Sequence, residues 1–574
     1  LFIGAMKHYV AKWKFAHPYP EDFRQAVIEY THADLNWFFD QWLETTKYID
    51  YKIKSVDKIK TDSSENAWNL TFQRLGRMQM PLKFSIVFED GSSKKYIIPN
   101  TWFKQPGKDS ILKKWYGWDL LQPTYTTIIK SSSKLKSVII DPDMYLADID
   151  NSNNEWGKKK TNTTWEFDHR VPRNPNWKYR RNYLRPDIWY NGFDGIQIGA
   201  HAEGLYFNKY QYHISAWGNT TLGQNLEKYT SLTPQRIAFA ADYTRHLSRI
   251  SREMIANGQL SCNAGIWKGQ IGIDKIFRRQ DQRVFPYTKI SLYAKYLVNE
   301  TNYTEYLLYP TEWGIRNQNK QWVNASMNMS ILRNYKYQKG TGTIQLVVRA
   351  PFIASSYNYS QVTLEAKNQY APTKKIDVRS RIFGQLGLNQ VPLESSLYAA
   401  GANQEQMIDN KYTRANGIVP DNWLGYGSQT NHFQYGGGLN LRGFAGLNCL
   451  QQIQTSSGTQ YVNGYQGKSG ASWNLEIDFD KYIPIKAKGL TKNLHFDTYL
   501  FYDAGILNFS SNNKNYWGFP QMDAGAGTCM TIKFTPYDVT PLIIRADFPF
   551  FVNMPEGGGN YTAFRYLLSL NRAF

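Results

Sequence analysis

Arg442, Gly443 and Phe444 form the middle of the run GGGLNLRGFAG (436–446), and two acids, Glu476 and Asp503, follow in WNLEIDF and FYDAG. An arginine between two carboxylates makes charge-assisted, bidentate bonds that fix whatever segment carries it. Alternation predicts that the acids are a pair. With Trp473, Leu475, Ile477 and Phe479 facing outward, Glu476 faces inward, and with Leu500 and Tyr502 outward, Asp503 does the same. A loop entering the space between them brings Arg442 to both. Gly443 lets the backbone turn there, and Phe444 wedges against the wall. So read, the constellation is a latch and not a catalytic centre.

Other chemistry is sparse. The nine histidines include no pair at i, i+4, so no helix offers two imidazoles to a metal. His201-Ala202-Glu203 lies on a strand, where alternation points His201 and Glu203 inward together but supplies no second histidine at helical spacing. Cys262, Cys449 and Cys529 are odd in number and far apart, which gives no disulfide framework. No catalytic, cofactor-binding or metal-binding residue is assigned. The net charge of +20 is scattered over the chain, so nucleic acid is not an expected partner. One concentration stands out: Lys158, Lys159, Lys160, Arg170, Arg173, Lys178, Arg180, Arg181 and Arg185, interleaved with Trp165, Trp177, Tyr179 and Tyr183. It suits either anionic lipid headgroups or a solvated linker.

Positioning the latch requires a large sheet. Residues 195–574 repeat an apolar/polar alternation: Val323, Ala325, Met327, Met329 and Ile331 against Asn324, Ser326, Asn328 and Ser330, or Ile376, Val378 and Ile382 against Asp377, Arg379 and Arg381. Such strands, about 10 residues long, describe a barrel with lipid outside and water inside. Aromatics at 16 %, with 41 tyrosines, fit girdles at both membrane interfaces; an aromatic-rich carbohydrate-binding β protein is the alternative. The negative mean hydropathy does not oppose a barrel, because half of each strand faces water. Roughly fourteen strands are legible, about sixteen are reached if 258–277 or 303–316 hides extra strands, and sixteen are expected, an even number being the rule for bacterial barrels. The first is placed at 196–207 and the last at 564–574, ending on Phe574. The connection 389–466 is too long for an idle turn.

The remainder divides by period. Residues 1–48 are helical, with Leu35, Phe38, Phe39 and Trp42 forming one apolar stripe. Residue 1 falls in what reads as mid-helix, so the chain is expected to be a mature or truncated piece. Residues 49–150 alternate in short strands as a small β-sandwich, and 151–194 is the basic, aromatic linker. The fold class expected is therefore mainly β: a transmembrane antiparallel barrel preceded by a short helical segment and a sandwich.

Two resemblances sharpen this. WKFAHPYPEDF (13–23), the helix 34–43 with its continuation to IDY (49–51), RMQMPLKFSIVF (77–88), DGS (90–92) and IDP (140–142) resemble the zinc aminopeptidases of the aminopeptidase N family. The match spans about 1–154 and corresponds to that family's helical tail and trailing sandwich. The family's H-E-x-x-H zinc helix is missing from this sequence. The resemblance thus implies a metallopeptidase-like module with zinc possible only in a domain upstream, and transfers no catalytic residue. GGGLNLRGFAG, WNLEIDF, FYDAG, AGAG (524–527) and PLIIRADFP (541–549) are similar to the closing strands of the BamA/FhaC-type outer-membrane assembly and translocase superfamily. That family tucks an R-G-F/Y loop tip into its lumen, which implies the same latch for Arg442, Glu476 and Asp503.

The expected function is a Gram-negative outer-membrane barrel anchoring a periplasmic aminopeptidase-like module. The alternative is a subunit or translocase of outer-membrane protein assembly that uses the module as a non-catalytic platform. Expected partners are outer-membrane lipid and either assembly components or periplasmic peptides. A passive pore is disfavoured by the lumen-plugging loop.

Overall fold

The computed structural model describes residues 1–60, 65–101, 109–117, 121–157, 162–168, 176–207, 209–225, 237–248, 250–251, 253–278, 286–299, 310–314, 316–317, 320–415, 417–420, 423, 431–447, 449–456, 458–479, 481–482, 493–511, 514–533, 541–555 and 558–574. Two compact units emerge: Leu1–Asn162 with Trp177–Tyr179, and Thr163–Asn176 with Arg180–Phe574.

The first unit opens with helices Phe2–Trp13, Pro20–Thr31 and Asn36–Leu43. Proline at the first position of the second helix costs no hydrogen bond, and Asp22 accepts from the Tyr19 amide at 2.8 Å, which sets the helix start. Their apolar faces meet through Ala5, Val27 and Phe39, with Leu35 and Phe38 partly covered. Trp42, expected in the same stripe, is exposed and packs beside Phe38 of its own helix. A three-stranded and a five-stranded sheet follow, and Tyr51, Leu70, Phe72, Phe84, Ile86 and Val138 merge into one buried cluster. Asp148 is buried there and accepts from the amides of Tyr51 (3.1 Å) and Asp150 (2.9 Å) and from Asn154 (3.0 Å). Desolvation raises its pKa above the ordinary carboxylate value despite those bonds.

The second unit is a closed barrel, with twenty described strands in its pairing order. Long neighbours pair antiparallel, from Tyr179–Asn191 with Gly195–Tyr206 onward. Asp377–Asn389 pairs directly with Gln466–Asp478, so the whole connection between them leaves the wall and returns to it. Outward positions are apolar and exposed: Ile188, Ile198, Ile214, Leu260, Leu292, Leu364, Leu386 and Leu500, with Ile271 at 70 %. Inward positions are polar and buried: Asn324, Arg349, Gln361, Arg381, Asn474, Glu476, Asp503, Asp523 and Asp547. A water-soluble barrel would have these two sets exchanged.

Three expectations change and one is decided. The first long strand is Tyr179–Asn191, not 196–207, so the second half of the supposed linker is barrel wall. Its Arg185 bonds Asp168 at 3.1 Å instead of meeting headgroups, because alternation puts Leu184 and Ile188 outside. Lys158, Lys159, Lys160, Arg170 and Arg173 lie outside the described residues. The stretch 258–277 is a hairpin, Met254–Asn263 and Ile266–Arg278, whose two-residue turn Ala264-Gly265 has φ of 49° and 71°, the sign that a type I′ connection demands. The closing strand is Tyr566–Leu570 and stops before Phe574. Asn571, at φ 68°, turns the chain out of the sheet, and asparagine tolerates that left-handed conformation.

Candidate functional site: an arginine latch inside the barrel

Three rows of inward side chains cross the wall. Arg381, Asn474, Asp503 and Asp523 stand opposite one another on four adjacent strands. Arg379, Glu476 and Phe501 form the next row, and Asp377, Asp478 and Tyr499 the third. Asp503 directly opposite Asp523 is an unfavourable like-charge pair. Cations from outside the wall offset it.

Arg442 is one of them. Residues 442–444 form a single 3-10 turn buried in the lumen, and Arg442 is 0 % exposed. Its Nε and Nη2 donate to the two oxygens of Asp503 at 2.7 and 3.0 Å, a bidentate fork. Nη1 donates to Glu476 at 2.8 Å and lies 3.6 Å from Asp547. The guanidinium sits 3.8 Å from the centroid of the Phe501 ring, so its face is covered as well as its edge. The structure therefore brings together Arg442, Glu476 and Asp503.

Gly443 and Phe444 share the turn. A Cβ on Gly443 would lie 2.5 Å from the Asp523 Cβ and 2.8 Å from Val552 Cγ2, closer than carbon atoms approach. Only glycine fits between those two strands. Phe444 is buried in an apolar cluster with Leu439, Leu441, Leu507, Phe509 and Val552. Gly443→Val is expected to expel the turn from the lumen; protease cleavage within 431–447 in intact cells, absent in the wild type, reports it.

Alternation foresaw the two acids and the polar face that carries Arg381, but not the bonds that surround them. Asn474 donates to Asp503 (3.0 Å) and to the carbonyls of Leu439 and Asn440, joining wall to loop. Arg381 reaches Glu365, Asn474 and the Gly438 carbonyl. Arg572, past the last strand, bonds Glu476, Asp478 and Asp497 at 3.3, 2.6 and 3.0 Å. Parity marks Asn474 as inward too, so it could have been found. Arg572 could not, since its position depends on the turn at Asn571.

The same connection makes a second set of bonds farther round. Glu405, on the short helix Gln404–Met407, pairs with Arg349 at 2.7 Å and with Lys295, while Glu394 accepts from Asn324 at 2.6 Å. Between the two anchorages lies a polar cavity of about 450 Å³ lined by Lys295, Arg349, Glu365 and Arg381. Arg442, Glu476, Asp503, Arg349 and Glu405 each have an opposite charge within ion-pair distance, as a low-dielectric interior requires, whereas among the described residues both oxygens of the buried Asp523 lack a hydrogen-bond partner. The arrangement holds a loop against the wall.

The fold and site define a closed antiparallel barrel with its longest connection folded into the lumen. No family model and no curated protein matches the chain. Among solved structures it is similar to CdiB from Escherichia coli, at TM-score 0.36 and 10 % identity over 69 % of this chain and 66 % of that one, just under two thirds of CdiB. It is also similar to BamA from Haemophilus ducreyi lacking POTRA domains 1–3, at TM-score 0.35 and 13 % identity over 68 % and 70 % of the two chains. A third is OccK5 (OpdH) from Pseudomonas aeruginosa, at TM-score 0.30 and 9 % identity over 91 % and 92 %.

Proposed function

We propose that this chain is an outer-membrane barrel of about sixteen spanning strands, stoppered by its own 389–466 loop, that anchors an aminopeptidase-like module in the periplasm of a Gram-negative cell. The observation that carries the membrane part is the belt of exposed Ile, Leu and Val on successive strands around a charged, buried interior. Soluble monomers rarely expose apolar patches beyond a few hundred Å², and a belt that encircles a barrel finds its solvent in hydrocarbon. The even count is supported by the unbroken antiparallel ladder from Tyr179–Asn191 to Tyr566–Leu570. A stopper bonded by Arg442 and Glu405 argues against a passive pore. The enzymatic part rests on the resemblance of residues 1–154 alone. Its test is release of amino-terminal residues from peptides by the whole natural protein in liposomes, expected to be abolished by a chelator; no release would remove the peptidase from the reading.

A second reading, participation in outer-membrane protein assembly, is favoured by the short last strand. The last strand, Tyr566–Leu570, has five residues and matches only four with Leu542–Val552. The loop segment Asn431–Gln434 lies parallel along it. A short closing strand held by few bonds is easier to open than a full-length one. Liposomes containing the protein are expected to accelerate folding of a denatured barrel substrate, and a disulfide locking the last strand to its neighbour is expected to abolish the effect. Equal rates in empty liposomes would dismiss this reading.

A further inference from the structure

Apart from the latch, strands Gly195–Tyr206 and Tyr210–Asn219 form a hairpin in which His201 faces Ser215 and Glu203 faces His213. All four side chains point inward, because 201 and 203 lie on the strand face opposite Ile198 and pair directly with 215 and 213 on the same face of the next strand. Two imidazoles and a carboxylate thus converge from adjacent strands. The His213 Nδ1 lies 3.6 Å from a Glu203 oxygen, the two rings are 6.0 Å apart between centroids, and the three ligand atoms lie within 4.8 Å of one another.

The nitrogens on the far sides are already held. His201 Nδ1 is 2.8 Å from Ser215 Oγ, which leaves Nε2 for another partner. His213 Nε2 is 2.9 Å from the Gln211 side-chain amide; with that amide turned so that its oxygen accepts from Nε2–H, Nδ1 is left deprotonated and facing Glu203. An outer hydrogen bond that fixes the ring while the other nitrogen stays open is how metal-ligating histidines are oriented. Asp242 stands opposite His213 on the next strand, and Arg185, paired with Asp168, stands opposite His201 on the preceding one.

The geometry points to a divalent transition-metal site of the zinc class formed by His201 Nε2, His213 Nδ1 and Glu203, with a fourth position open to water. Two imidazoles with one carboxylate suit zinc-like ions and not calcium or magnesium, which take oxygen ligands. Tetrahedral zinc with bonds of about 2.0–2.1 Å sets its ligands roughly 3.3 Å apart. The Glu203–His213 pair is already near that separation, and His201 closes the remainder by rotation. Half-exposed side chains on a lumen wall have room for it. The site is independent of whether the chain is a peptidase anchor or an assembly subunit.

The test uses the full chain in detergent, stripped with a chelator and titrated with zinc chloride by calorimetry. One tight site per chain is expected. It disappears in His213→Gln and in the His201→Gln/His213→Gln pair, survives His17→Gln, and weakens about tenfold in Ser215→Ala, where only the orienting bond is lost. Should a variant misfold, cobalt added to the unaltered chain supplies the second readout: intense visible absorption of a tetrahedral nitrogen-oxygen site, bleached by zinc. Absence of tight binding to the unaltered chain, or tight binding retained by the double variant, overturns the assignment.

Discussion

Arg442→Ala is expected to lower barrel stability by about 3–5 kcal/mol, the usual result of removing one partner from a buried ion pair. The cost arises mainly from what remains. Asp503 and Glu476 are each fully buried, Asp503 faces Asp523 across the ladder, and Asp547 lies nearby. Without the guanidinium, several carboxylates share one water-poor space. They must take up protons or admit water, and the turn at 442–444 loses its attachment to the wall. The readout is the temperature at which the folded band converts to the slower one on a semi-native gel. Arg442→Lys recovers part of the loss, since an ammonium keeps the charge but cannot fork across both Asp503 oxygens. A double-mutant cycle with Asp503→Asn should give a large coupling energy, because both changes remove the same bonds. Melting of Arg442→Ala at the wild-type temperature would mean that the loop is held by Phe444 and its apolar neighbours alone.

The second large effect belongs to the outer surface. Ile271→Arg places a guanidinium on the belt, at a side chain that is 70 % exposed on the face opposite Gln270 and Gly272. In hydrocarbon this costs roughly 2–4 kcal/mol near the bilayer midplane and little near the interfaces. In water the same change would be nearly neutral, as exposed substitutions usually are. Urea unfolding of the wild type and of Ile271→Arg in liposomes measures the difference. An unchanged midpoint in liposomes would remove hydrocarbon from the account.

Alternation carried most of what could be read in advance, because a period of two is a local property that survives any tertiary arrangement. It assigned Glu476 and Asp503 to the lumen, and the structure places both there. It left 258–277 open between one strand and two because both strands of that hairpin alternate continuously and only Ala264-Gly265 marks the turn. It missed Tyr179–Asn191 because arginines in that strand resemble a linker until Leu184, Ile188 and Tyr190 are seen to share its outer face. The partners of Glu405, Arg572 and His213 depend on long-range or cross-strand placement. For His213 a signal did exist: a hairpin turn between 206 and 210 sets Glu203 opposite it, and searching only for helical spacing concealed the pair.

The central claim is that this barrel is turned inside out relative to a soluble protein, with hydrocarbon around its apolar face and a bonded stopper within. Spin labels introduced one at a time at 267–274, in a chain whose Cys262, Cys449 and Cys529 are replaced, test it in liposomes. Oxygen collision rates should peak at 267, 269, 271 and 273, and those of a water-soluble nickel complex should be low throughout that outer set. Rates that rise and fall together for both reagents, or that lack a period of two, would contradict it.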